Sequence, residues 1–240
     1  MVDLAATIAL QLAIVALVAG AFRRGGRAID YRWFAAVMAA VVAYFLVIVV
    51  GSEAQDLIPA LSGLKWNWVG KAIAIGFSLL LILGWIGREA AGLRLRQAAG
   101  SALPCLVVVA AMCALSWGAE AWANDGRDLS LERLAFQATM PGIDEELFLR
   151  GVLLALMVRA VGPSDRRGGA PFGLAEALVT LFFALGHGVA VASGQLHVDA
   201  LAFFLTGVLG AGLAWLRTRS GSLAWPIAAH NLVNFGNSFF

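Results

Sequence analysis

Eight apolar runs separated by short polar loops constrain this chain more than any other feature. They cover residues 4–22, 33–51, 68–87, 102–123, 142–161, 172–189, 200–216 and 223–239. Each is close to the ~20 residues a helix needs to cross about 30 Å of hydrocarbon. Of the 240 residues, 61% are hydrophobic and only 13% charged, and the mean hydropathy is +0.84. A soluble domain carries about 25% charged residues. In a bilayer every backbone polar group must be paired within the chain, which helices achieve segment by segment. The expected fold is therefore an all-α polytopic integral membrane protein with about eight transmembrane helices and no separate soluble domain.

Charge placement orients these runs, because Lys and Arg favour the cytoplasmic side of short loops. Arg23, Arg24, Arg27 and Arg32 follow the first run, Arg88, Arg94 and Arg96 the third, Arg159, Arg166 and Arg167 the fifth, and Arg217 and Arg219 the seventh. The alternate loops hold Lys65, Lys71, Arg127 and Arg133 with most of the acids: Asp3, Glu53, Asp56, Glu120, Asp125, Asp128, Glu132 and Asp199. Both termini are expected on the non-cytoplasmic face of what reads as a bacterial inner membrane. The first run has basic residues only after it, which reads as a retained helix and not a cleaved signal. A net charge of +2, carried by the inner loops, suits anionic lipid headgroups and gives no sign of nucleic acid as a partner. Cys105 and Cys113 lie eight positions apart on one apolar run, too far along a helix to bond each other. They are expected to pack.

A charge at the bilayer centre costs at least ~2.5–3.5 kcal/mol on insertion scales, so ionisable groups at that depth face one another or a wet cavity. The stretch IDEELFLRG, residues 143–151, concentrates Asp144, Glu145, Glu146 and Arg150. Glu146 and Arg150 stand four apart on one helical face with the acid first, the better order for an ion pair. Glu145 lies ~100° around the helix with no local partner in sequence. A carboxylate in a poorly solvated cavity beside a paired neighbour suits a general base or acid. His187, near the end of the sixth run, and His230 with Asn234 in the eighth reach the same outer layer. Pro141 and Gly142 are expected to start or kink the fifth helix just before the carboxylates, and Pro226 to kink the eighth below His230. Glu176 opens the sixth run, and His197 in the following loop reads as solvated. Gly207, Gly210, Ala211 and Ala214 suit close helix approach. Trp66, Trp68, Trp117 and Trp122 suit an outer interfacial belt and Trp33 and Trp85 an inner one.

Three segments in order, EELFLRG from Glu145, FFALGHG from Phe182 and LRTRSGSLAWPIAAHNLVN from Leu216, resemble the motifs of the CPBP family. These are the CAAX-protease and bacteriocin-processing membrane proteins, which include type II CAAX prenyl endopeptidases and Abi-type intramembrane metalloproteases. Carried over residue by residue, the resemblance implies catalytic roles for Glu145, His187, His230 and Asn234, with Glu146, Arg150 and Phe183 in support. Two positions depart from the pattern: Leu149, where an aromatic more often precedes the arginine, and Gly188, where a bulkier residue is common. The resemblance covers about the last hundred residues. It divides one continuous membrane domain into a four-helix region, 1–125, and a protease-like core, 126–240.

The implied function is endopeptidase cleavage of membrane-associated peptides or proteins, lipidated or not, in contact with membrane lipid. Glu145 and His187 would activate a water, and His230 and Asn234 would donate to the oxyanion. The family is also read as zinc-dependent, with Glu145, His187 and His230 as candidate ligands. No H-E-x-x-H pair lies on one helix, so a metal would need ligands from three helices. The cofactor is thus zinc or none, with the metal-free route preferred. Two other readings stand beside this one. A non-catalytic scaffold or bacteriocin-immunity protein could use the same fold. A proton-coupled transporter would use the same buried acids and histidines, but the inverted repeat that marks such carriers is not seen in the sequence.

Overall fold

A computed structural model describes residues 2–22, 28–123 and 126–240. Arg23, Arg24 and Arg27 of the first basic loop, and Asp125 among the acids, lie outside the described residues. The chain is mostly helical, and all eight apolar runs fall on helices. The helices are α1 (Val2–Phe22), α2 (Tyr31–Asp56), α3 (Trp68–Leu81), α4 (Arg88–Ala91), α5 (Ala102–Ala123), α6 (Leu131–Glu146), α7 (Leu154–Val161), α8 (Leu174–Gly188), α9 (Ala200–Ser220) and α10 (Ala224–Asn237). A π-helical turn, Ile82–Ile86, extends α3, and another, Leu147–Leu153, joins α6 to α7. Among the described residues, five helical segments are long and apolar enough to cross a membrane: Asp3–Phe22, Tyr31–Asp56, Trp68–Ile86, Ala102–Ala123 and Ala200–Ser220. The protein is an integral membrane protein.

Local chemistry sets many of the boundaries. The side chain of Asp30 accepts from the backbone N–H groups of Arg32 and Trp33 and caps α2, and that of Asn67 accepts from Gly70 and caps α3. Ser130 and Asp199 cap α6 and α9 in the same way, satisfying donors that the first turn leaves free. Lys71 therefore belongs to the first turns of α3 and not to a loop. Arg217 also leaves its expected loop: it is buried within α9 and donates to the carbonyls of Ala90 and Ala91, which close α4.

The helix start expected at Pro141 and the kink expected at Pro226 both change. Pro141 neither begins nor ends a helix; α6 starts ten residues earlier, at Leu131, and carries Pro141 in its interior. A proline there weakens the backbone ladder, and the neighbouring Gly142 N–H turns to the Asn231 side chain of α10, at 2.7 Å. A Cβ on Gly142 would run into Asn231 and the Ile227 carbonyl, so this glycine lets α6 and α10 cross closely. Pro226 sits in the first turn of α10, where a missing N–H costs nothing. It starts that helix and does not kink it.

The sixth run stops one residue early, at Gly188, because the chain turns into a hairpin: β3 (Val189–Ala192) pairs antiparallel with β4 (Gln195–Val198). Ser193 and Gly194 form its two-residue turn with φ of 51° and 72°, the backbone shape that a tight hairpin requires. Gly188 is small because a Cβ would strike Phe203 at the start of α9, which accounts for its departure from the family pattern. Gln11 of α1, itself buried, donates to the carbonyls of Leu185 and Val189 at 3.2 and 3.0 Å and holds the end of α8 against α1. A shorter hairpin, β1 (Arg166–Arg167) with β2 (Ala170–Pro171), links α7 to α8. Glu176 caps α8 by accepting from the Gly173 N–H and the Ser164 hydroxyl, a structural role.

Candidate active site

The continuous helical rod 131–161 runs through the middle of the molecule, and every residue from Glu146 to Met157 is buried. Its charges are arranged in two sets. Glu146 is fully buried, and its Oε1 accepts from Arg150 Nη1 at 2.9 Å, the pair expected from the four-residue spacing. Arg150 Nη2 also donates to the Gly210 carbonyl of α9 at 3.1 Å, and its guanidinium lies 4.7 Å over the Phe183 ring. Gly210 is small for this reason: a Cβ there would meet Phe183 at 2.8 Å.

In the second set Glu145, which has no local partner in sequence, is held from another helix. Lys71 of α3 places Nζ 2.8 Å from Glu145 Oε1 and 2.8 Å from Asp144 Oδ2. Tyr44 of α2 donates its hydroxyl to the same Asp144 oxygen at 2.8 Å, with its ring stacked on Phe148 at 3.9 Å. Sequence reasoning missed Lys71, Asp144 and Tyr44. Signals existed: a lysine four residues into an apolar helix behind an Asn cap, and a tyrosine hydroxyl in the middle of the long apolar α2.

The two histidines approach Glu145 from other helices. His230 Nδ1 lies 2.8 Å from Glu146 Oε1, and its Nε2 lies 4.0 Å from Glu145 Oε2. An ionised carboxylate only accepts, so Nδ1 carries the proton in that contact. His187 Nδ1 lies 2.9 Å from the Phe183 carbonyl; by the same logic it donates and leaves the Nε2 lone pair free. Phe183 packs edge-on against both imidazoles, with ring centroids at 4.5 and 5.9 Å.

A cavity of about 290 Å³ brings together Glu145, Phe183, His187, His230 and Asn234, with Ser116 and Glu120 of α5 on its wall. Glu145, Phe183 and His187 also line a second cavity of about 220 Å³, which contains Tyr44 and Lys71. Glu145 thus stands between two chambers. Among the described residues, Asp144, Glu145 and Glu146 face two cations, Lys71 and Arg150, so the cluster carries one formal negative charge in excess.

Among the described residues no three His, Cys, Asp or Glu side chains come together as a metal-holding group. Oε1 of Glu145 is held by an ammonium, and Nδ1 of each histidine is held by an acceptor, which leaves Oε2 and both Nε2 atoms for a water or a metal ion. Several other expectations resolve simply. Cys105 and Cys113 are buried free thiols, and His197 is exposed on β4. Trp33 stacks on Trp85, and Trp122 is exposed. Trp117 donates to the Val233 carbonyl between α5 and α10.

Residues 128–236 match a family model described as type II CAAX prenyl endopeptidase Rce1-like. This stretch, a little under half of the chain, is similar to that family. The match agrees with the CPBP resemblance carried by the three motifs and spans α6 to α10, which hold six of the seven expected site residues on three helices and Arg150 on the connecting π turn. The Rce1-like family implies a protease acting on a peptide or protein substrate in association with a membrane. No curated protein and no solved structure matches the chain.

Proposed function

We propose that the protein is an intramembrane endopeptidase in which residues 126–240 form the catalytic half, working by a metal-free, carboxylate-activated water. The observation that carries this reading is the shared cavity of Glu145, His187, His230 and Asn234. A water between Glu145 Oε2 and His187 Nε2 gives up a proton to one of them as its oxygen attacks the substrate carbonyl carbon. The carbonyl electron pair moves to oxygen, and the oxyanion accepts hydrogen bonds from the Asn234 amide and from His230 as imidazolium. Collapse of this intermediate breaks the C–N bond, and the abstracted proton goes to the leaving amine. Glu146 and Arg150 hold His230 in register, and Phe183 separates the two imidazoles. The proposal includes eight membrane segments, both termini on the non-cytoplasmic side of a bacterial inner membrane, and substrates that enter from the bilayer with or without a lipid anchor.

The test is cleavage of a membrane-peptide library by the purified protein in nanodiscs, with Glu145→Ala and His187→Ala beside the wild type. Wild-type cutting that both substitutions abolish, and that a strong zinc chelator leaves intact, is expected. Loss of cutting on chelation would overturn the metal-free mechanism. No cutting by a folded wild type would favour the scaffold or transport readings.

A further inference from the structure

Among the buried charges, Lys71 has no place in the motifs and lies outside the matched stretch, yet it makes the closest contact to Glu145 from another helix. A carboxylate in a cavity has two oxygens and rotates about its terminal bond over a broad well. Which oxygen faces the water is therefore undetermined unless something holds the other. Lys71 Nζ bonds Oε1 at 2.8 Å, while Oε2 is the oxygen turned to His230 Nε2 at 4.0 Å. The lysine is in turn fixed: Asp144, fully buried, holds the same Nζ at 2.8 Å, and Tyr44 holds Asp144. The side chain of Lys71 is only 15% exposed, so its two carboxylate bonds are largely shielded from solvent and from competing ions.

Resting on the endopeptidase reading, we infer that Lys71 is a positioning residue for the reaction: it pins Oε1 of Glu145 and thereby presents Oε2 to the attacking water that Glu145 shares with His187. The adjacent glutamates are then oriented from opposite sides. Arg150 of the rod holds Glu146, and Lys71 of α3 holds Glu145. This makes the region before residue 128 part of the catalytic apparatus. A compensating charge elsewhere would not replace Lys71; an ammonium at this point is required.

Proteoliposome cleavage with kcat and KM resolved separately tests the assignment. Lys71→Met is expected to lower kcat by about 10²-fold, the scale of a misplaced catalytic group, with KM within about twofold. Lys71→Arg keeps the charge but not the single shared Nζ, and is expected to fall between. Lys71→Cys should be as poor as Lys71→Met, and aminoethylation of that cysteine with 2-bromoethylamine, which rebuilds an ammonium near the same point, should restore most of kcat. Unchanged kcat in Lys71→Met, or no recovery on aminoethylation of a folded Lys71→Cys, overturns it. Where Lys71→Met does not stay folded, Lys71→Arg decides: a fivefold or larger drop in kcat supports the role, and wild-type kcat defeats it. Cutting that Glu145→Gln abolishes but no Lys71 variant alters would defeat this inference alone. No wild-type cutting would defeat the endopeptidase reading with it.

Discussion

The rod 131–161 and the five long apolar helices are built on opposite principles. In the five, only 22–28% of the most apolar stretch is buried inside the molecule, and side chains such as Leu17 and Val107 are 73% and 61% exposed. These faces are suited to lipid, which solvates them as well as protein would. In the rod, every residue from Glu146 to Met157 is buried, charges included. Other helices pack around this buried stretch, and the rod supplies the polar groups. Hydropathy therefore marks the shell and obscures the centre.

The contrast can be broken most severely at Arg150. Arg150→Met leaves Glu146 buried without its cation and should cost about 3–5 kcal/mol, read as loss of resistance to SDS unfolding in mixed micelles. Adding Glu146→Gln to Arg150→Met should recover part of that loss. Next comes the crossing at Gly142, where Gly142→Ala must push back Asn231 and the Ile227 carbonyl. A loss of about 1–3 kcal/mol is expected in the same assay. Gln11→Leu deprives the Leu185 and Val189 carbonyls of their donor and should cost about 1–2 kcal/mol. It should also increase amide exchange in residues 189–198. At the small end, Leu17→Ala on the lipid-facing shell should move stability by no more than about 0.5 kcal/mol. A loss as large as that of Gly142→Ala would show that this face of α1 is covered by protein and is not open to lipid.

Legibility in the sequence follows the same division. All eight runs were visible because membrane helices advertise themselves by apolar length. The convergence of Glu145, His187, His230 and Asn234 was legible from depth and helix direction, and the structure brings the four to one cavity. The first eleven residues of α6, LERLAFQATMP, were not legible as helix, because they are mixed in polarity and end on a proline. The β3–β4 hairpin was hidden because its stabilising partners, Asp3, Thr7 and Gln11, come from α1, far away in sequence. Lys71 was read as a loop residue from its charge, whereas the Asn67 cap seen in the structure places it inside a helix.

The π turn Leu147–Leu153 gives the rod more residues per turn than an ordinary helix at the point where it passes Glu146. Each residue of an α-helix advances the chain by ~100°, so a one-residue deletion here would swing α7 around the rod axis relative to the carboxylates. In an alignment of related chains, a single gap between 147 and 153 thus records a change of direction, and the segments on its two sides should be compared as separately oriented blocks.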